Sequence, residues 1–188
     1  IGGAIALSSG GARAFKYGTT KDYVINLEVV LADGSTIQTA KNVSKNVEGY
    51  NLTQLFTGSE GTLGIITKAV LKLIPKPETK LVTMAYFNSV EEAASAVNNI
   101  ISSLITPATI DLLDRNTIDT IEKFNPSGWI SYEAMLLVEL DGGKIEVEEN
   151  NKKLYEVLIK SGADKIIQAK NETENEKIWK ARRSAFAC

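Results

Sequence analysis

Gly58-Ser59-Glu60-Gly61-Thr62-Leu63-Gly64 sets three glycines at intervals of three residues immediately ahead of Ile65-Ile66-Thr67. Glycine accepts positive φ and lets a ligand approach the main chain closely. The loop is therefore expected to offer bare N–H groups, of the kind that bind a diphosphate or the edge of a purine. The strand that follows is expected to anchor it through one largely apolar face made of Ile65, Thr67, Ala69, Leu71 and Leu73. A glycine-rich hairpin corner would read the same way. Near the other end, Trp179-Lys180-Ala181-Arg182 brings an arginine, whose fork matches a carboxylate bidentately and never loses its charge. The competing reading is a solvated guanidinium over the Trp179 ring, because Ile178 and Trp179, one turn earlier, offer no acidic partner. Arg183 takes the role of Arg182 if the register slips.

The elements that must position these groups differ between the two halves of the chain. Residues 1–20 are dense in Gly, Ala and Ser and read as loop with short helical or extended pieces. Residues 23–31 alternate, Asp33-Gly34 turns, and 36–39 returns, which predicts a β-hairpin with one buried face. A polar stretch over 43–47 and a short helix over 50–56 lead into the glycine loop. Pro75-Lys76-Pro77 then stops the strand and stiffens the chain, so the boundary between two domains, 1–75 and 76–188, is placed there.

Beyond it, strands are expected over 81–87, 109–113, 134–140 and 164–169, with helices over 90–104, 117–123 and 145–160. Ser89 and Glu92 form a capping box and Gly162 ends the last of these helices. This succession suggests a ferredoxin-like α+β sandwich of one sheet and one helical layer. The final stretch carries capping pairs Thr173 with Glu176 and, more loosely, Asn171 with Glu174, and puts Trp179, Arg182, Arg183 and Phe186 on one helical face.

Composition bounds the function. With 188 residues, 44% apolar and 23% charged, the chain has the make-up of a soluble globular protein. A net charge of −2, from 21 basic and 23 acidic residues, leaves no electrostatic footprint for nucleic acid or an anionic membrane. No run approaches the roughly 18 apolar residues of a membrane span. A single cysteine, Cys188, makes no internal disulfide and no signal-peptide pattern opens the chain, so a reducing cytoplasm is expected. Histidine is absent altogether, which removes the commonest general base and metal ligand; no metal site is expected.

Residues 58–67 resemble the Gly-Ser-Glu-Gly-Thr-Leu-Gly-Ile-Ile-Thr signature of flavoenzymes that share the FAD-binding domain of vanillyl-alcohol oxidase and p-cresol methylhydroxylase (PCMH). The branch most resembled contains the glycolate oxidase FAD subunit, D-lactate dehydrogenase and D-2-hydroxyglutarate dehydrogenase. Ile1-Gly2-Gly3-Ala4-Ile5-Ala6, Gly10-Gly11, Lys16-Tyr17-Gly18, Asp22-Tyr23-Val24, residues 27–34 and Gly49-Tyr50-Asn51-Leu52 are similar to the same family in the same order. Two positions depart from it: Ser8-Ser9 stands where the family has Asn-Ala, and Asn51 replaces an aspartate, a change a helix N-cap tolerates. In the second half, Pro107-Ala108-Thr109-Ile110-Asp111-Leu112-Leu113-Asp114 resembles a segment of the family's cap domain that carries glutamate at the position of Asp111.

The resemblance implies an α+β fold: the C-terminal half of a PCMH-type FAD-binding domain over 1–75, followed by an incomplete ferredoxin-like cap, or substrate, domain over 76–188. It implies cofactor contacts at Gly2, Gly3, Ala6, Ser9, Gly10, Gly11 and Gly18 and at Glu60, Gly61, Thr62, Leu63, Gly64, Ile65 and Ile66. Glu60 is read as bonding nearby N–H groups or a cofactor ribose rather than as a base. Arg13, Lys16 and Lys21 are either diphosphate partners or solvated, and Tyr17 either borders the flavin or packs. FAD is expected to be non-covalent, since the span holds no histidine to attach it. Arg182 is implied to face the flavin and bind the substrate carboxylate.

The implied reaction is oxidation of a small D-2-hydroxy acid, of glycolate or D-lactate type, to the 2-oxo acid by hydride loss to the flavin. In the family a histidine removes the hydroxyl proton and a histidine-rich metal motif assists; both are expected beyond Cys188, and the diphosphate loop before Ile1. The chain is thus expected to be an internal piece, inactive alone. Phe186 mildly disfavours hydroxyglutarate. The implied electron acceptor is a quinone, an iron–sulfur partner subunit or an electron-transfer flavoprotein; a homodimer, and a cytoplasmic location peripheral to the membrane through partners, are compatible. An alkyldihydroxyacetonephosphate synthase-like flavoenzyme and a non-catalytic flavin-domain subunit of a glycolate oxidase complex are the alternatives.

Overall fold

A computed structural model describes residues 1–43 and 45–185. The chain divides into two units, Ile1–Pro75 and Lys76–Cys188. In the first, the expected hairpin forms from β1 (Val24–Val30) and β2 (Thr36–Gln38). Its turn is closed by Asp33, whose carboxylate accepts the Ser35 N–H at 2.9 Å, and by Gly34 at φ +83°. Short helices α1 (Gly2–Ala6), α2 (Ala14–Tyr17) and α3 (Leu52–Phe56) and a 3-10 turn (Thr20–Tyr23) flank a three-stranded antiparallel sheet, ordered β2, β1 and β3 (Ile65–Leu71). Asn51 caps α3, accepting the Gln54 N–H at 3.1 Å. Ile5, Leu27, Val29 and Phe56 make the small core.

The apolar face expected for β3 packs only in part. Ile65, Thr67 and Ala69 are exposed, whereas Ile66 and Leu71 join the core. The cause lies in the ladder with β1, where Glu28 pairs with Lys68 but Val29 pairs with Ile66. Thr67 is the extra residue of a β-bulge, and a bulge swaps which side chains face the core.

The second unit follows the expected succession: β4 (Thr79–Phe87), α4 (Val90–Ser102), β5 (Thr109–Asp114), α5 (Arg115–Phe124), β6 (Ala134–Gly142), α6 (Lys144–Lys160), β7 (Lys165–Gln168) and α7 (Glu172–Ser184). The strands form one antiparallel sheet in the order β5-β6-β4-β7, the ferredoxin-like arrangement. Helices α4 and α6 cover one face over Phe87, Leu136 and Val138. The other face is covered as well, by α5 and α7 over Tyr86, Met135 and Leu137, so two helical layers enclose the sheet where one was expected. The central strands β4 and β6 are apolar on both faces, as a doubly covered sheet requires.

Two helix starts are settled by their caps. Asp114 accepts the Thr117 N–H at 2.9 Å, so α5 begins at Arg115. For α7, the looser pair wins: Asn171 accepts the Glu174 N–H at 2.9 Å while the Glu174 carboxylate accepts the Lys170 N–H at 2.8 Å. Among the described residues no helix is long and apolar enough to cross a membrane.

Candidate functional site

In the first unit the glycine loop docks onto the end of α1. The Gly58 N–H donates to the Ile5 carbonyl and the Glu60 N–H to the Ala6 carbonyl, each at 3.0 Å, which satisfies carbonyls that a helix C-terminus leaves open. The path needs left-handed backbone at Gly58 (φ +85°), Glu60 (φ +51°) and Gly61 (φ +81°). Ser59 and Thr62 N–H groups close turns inside the loop. These bonds consume part of the expected array of bare donors and leave out the N–H groups of Gly61, Leu63 and Gly64. Ile65 and Ile66 pair with Val30 and Val29 of β1. The Ser59 hydroxyl oxygen is buried without a hydrogen-bond partner.

Residues 9–23 fold into a rim beside α1. The Ser9 carbonyl accepts both the N–H (3.1 Å) and the hydroxyl (2.8 Å) of Thr20, the Tyr23 hydroxyl donates to the Tyr17 carbonyl at 2.6 Å, and Asp22 accepts the Thr19 N–H at 2.7 Å. Gly18 closes α2 at φ +80°, in contact with the Asp22 side chain. The rim encloses a hollow of about 340 Å³ lined by Ser9, Gly11, Arg13, Tyr17 and Gly18 together with Ile1, Ala4 and Leu71. Of the predicted cofactor residues, the hollow gathers Ser9, Gly11 and Gly18. Gly2 and Gly3 lie on exposed turns of α1, Gly10 lies against Thr19, and the 60–64 loop is joined to the same helix through Ala6.

A side chain at Gly2, Gly3 or Gly11 would meet nothing within 4 Å, so this glycine-rich main chain leaves room beside it. At the hollow, the open main chain of Gly11, the Tyr17 ring and the Arg13 guanidinium fit a nucleotide cofactor such as FAD. A second hollow, about 540 Å³, lies between β1 and the 40–51 segment and takes in none of the predicted residues. Among its lining residues, the Thr39 and Thr53 hydroxyls bond each other at 2.8 Å.

In the second unit, α7 is stitched across the sheet by side chains at 175, 179 and 182, which share one helical face. Asn175 accepts the Val82 N–H at 3.1 Å and donates to the Lys80 carbonyl at 3.2 Å, both on β4. Trp179 Nε1 donates to Glu139 on β6 at 2.5 Å. Arg182 Nε donates to Asp111 on β5, an ion pair whose side chains are 21% and 20% exposed. Arg182 is therefore not the solvated guanidinium of the competing reading: its acidic partner comes from a strand, not from the preceding turn. Arg183 is exposed, and Phe186 lies outside the described residues.

Asp111, Glu139 and Asn175 are not singled out by the sequence reading; the available signal was the carboxylates set among apolar residues, Asp111 in β5 and Glu139 and Asp141 in β6. Beside them the Thr109 hydroxyl is fully buried with no partner, paired across the ladder with Glu139. No group of three or more acidic or cysteine side chains among the described residues is arranged to hold a metal ion.

Comparison with known proteins places the chain in a family. The chain is 46% identical over its whole length to "Glycolate oxidase subunit GlcD" of Bacillus subtilis (strain 168), of which it covers 40%. It is 37% identical over 98% of its length to "Probable D-lactate dehydrogenase, mitochondrial" of Danio rerio, covering 37% of that protein. A solved alkyldihydroxyacetonephosphate synthase matches 97% of the chain with a TM-score of 0.77 and 26% identity, the chain spanning 35% of it. The chain thus spans about two-fifths of the length of the curated relatives it matches. An FAD binding domain is matched over residues 1–40. The C-terminal domain of FAD linked oxidases is matched over residues 76–188, more than half of the chain, which therefore belongs to the FAD-linked oxidase family.

Proposed function

We propose that this chain is part of a flavin-dependent dehydrogenase or oxidase that converts a small D-2-hydroxy acid, of glycolate or D-lactate type, into the 2-oxo acid. The observation that carries the reading is the 46% identity to a glycolate oxidase subunit along all 188 residues. FAD, when bound, supplies the hydride acceptor. On the first unit, Gly2, Gly3, Ala6, Ser9, Gly10, Gly11 and Gly18 and the main chain from Glu60 to Ile66 hold the nucleotide, with the Gly61, Leu63 and Gly64 N–H groups and the Ser59 hydroxyl as donors. On the second, Arg182 anchors the substrate carboxylate. A bidentate arginine fixes the α-carbon of a 2-hydroxy acid while leaving its hydroxyl open to a base.

The name of the Bacillus relative, a subunit, supports assembly with other chains. An iron–sulfur protein, an electron-transfer flavoprotein or a quinone would then reoxidise the cofactor, with the protein in the cytoplasm and at most peripheral to a membrane. An alkyldihydroxyacetonephosphate synthase-type reaction is the second reading, favoured by the fold match at 26% identity; the 46% match to a glycolate oxidase subunit outweighs it.

The test is optical. The FAD-loaded protein is yellow, and anaerobic addition of glycolate or D-lactate should bleach its absorbance near 450 nm, a typical oxidised-flavin band. Failure of both acids to reduce the flavin would exclude the reading. Acid precipitation should release the FAD into the supernatant, as a non-covalent cofactor does.

A further inference from the structure

Given the carboxylate-anchoring role proposed for Arg182, we propose that Asp111 is its positioning residue, holding the guanidinium through Nε so that the terminal nitrogens face the substrate carboxylate. An arginine side chain has several rotatable bonds, and an anchor that must place a reacting carbon gains from having them fixed in advance. Both ends of this pair stand on rigid supports. Asp111 is held in the ladder of β5 opposite Leu137. The helix that bears Arg182 is pinned to β6 by Trp179 and Glu139 at 2.5 Å, and to β4 by Asn175 and the Val82 N–H at 3.1 Å. With backbone and helix roll fixed, the Asp111 contact at Nε bears directly on the side-chain torsions of Arg182.

Charge and geometry give opposite forecasts, which makes the idea testable. Asp111 is negative and touches the group that binds an anion, so if charge alone mattered, neutralising it would tighten substrate binding. If placement matters, neutralising it loosens binding. A third role, a strap that merely fastens α7, would lower thermal stability and leave substrate affinity alone.

The experiment uses the FAD-loaded protein with glycolate and D-lactate as substrates and oxalate as a non-oxidisable probe, read by perturbation of the flavin spectrum. Asp111→Asn should raise KM and the oxalate Kd on the order of tenfold, the usual effect of removing a partner that orients a ligand-binding side chain, with a smaller change in kcat. Asp111→Glu, which keeps the charge but moves it by a methylene, should raise KM less at an unchanged Tm, and it carries the test if the asparagine variant does not fold. Asp111→Asn combined with Arg182→Lys should bind oxalate no more weakly than Arg182→Lys alone. Unchanged or tighter oxalate binding in both Asp111 variants, with Arg182→Lys impaired, overturns the positioning role. Unimpaired Arg182→Lys overturns the anchor assignment beneath it.

Discussion

Gly64 lies so close to β1 that a β-carbon built on it would sit 2.6 Å from Val29 Cγ1 and 2.8 Å from the Val30 carbonyl oxygen. Its glycine character is thus demanded by packing, since Val29 is a fully buried member of the small core and cannot retreat. Gly64→Ala is expected to destabilise the first unit by about 1–3 kcal/mol, the range for overpacking a tight site. Urea denaturation followed by far-UV circular dichroism reads this directly, and an unchanged midpoint would show that β3 can shift away from β1.

Gly11 presents the opposite case: nothing stands within 4 Å of an added β-carbon, and the residue lines the hollow beside α1. Gly11→Val should leave stability within about 0.5 kcal/mol, as substitutions without a packing consequence do. If the hollow takes the cofactor, the same change should weaken FAD binding about tenfold, equivalent to about 1.4 kcal/mol of steric conflict. Titration of apoprotein with FAD measures it. Normal FAD affinity would remove Gly11 from the cofactor site.

What the sequence made legible was local. The Asp33-Gly34 turn and the Asn51 cap are each decided by neighbours a few residues apart, and the structure contains both. The alternation over 23–31 holds at Leu27, Val29 and Leu31 but breaks at the register shift between Val24 and Asn26, where Val24 joins the core and Asn26 is buried. The face of β3 was only partly legible because a bulge at Thr67 depends on the partner strand, which periodicity along one strand does not report. The Arg182 and Asp111 pair lies 71 residues apart in sequence, so helical spacing could not reveal it. Two helical layers on the sheet were legible in principle, since the nearly unbroken apolar run of 134–140 already demands cover on both faces.

The α5 cap should contribute to the acid sensitivity of the fold. The Asp114 carboxyl is held below its ordinary value of 3.8 by the Thr117 hydroxyl first and the Thr117 N–H second. A folded-state pKa below the unfolded one means the contribution is complete above about pH 4 and is lost as pH falls through the lower, folded value. Asp114→Asn retains a capping oxygen but has no proton to gain. The urea midpoint of the wild type should therefore fall more steeply between pH 5 and about pH 2 than that of Asp114→Asn. Parallel acid limbs for the two proteins would show that the cap does not titrate with folding.

Thr109 supplies a prediction of the opposite sign from most core substitutions. Its side chain is fully buried and its hydroxyl has no partner, although Glu139 lies directly across the ladder. A buried hydroxyl without a hydrogen bond costs desolvation that nothing repays, whereas valine has the same branched shape and no polar atom to desolvate. Thr109→Val should therefore stabilise the second unit by about 1 kcal/mol, near the low end of the penalty for an unsatisfied buried group. The rise would appear in the urea midpoint with an unchanged slope, because the surface exposed on unfolding is the same. A loss of stability instead would mean that the hydroxyl bonds an internal water, which would then also touch the Glu139 carboxylate beneath Trp179.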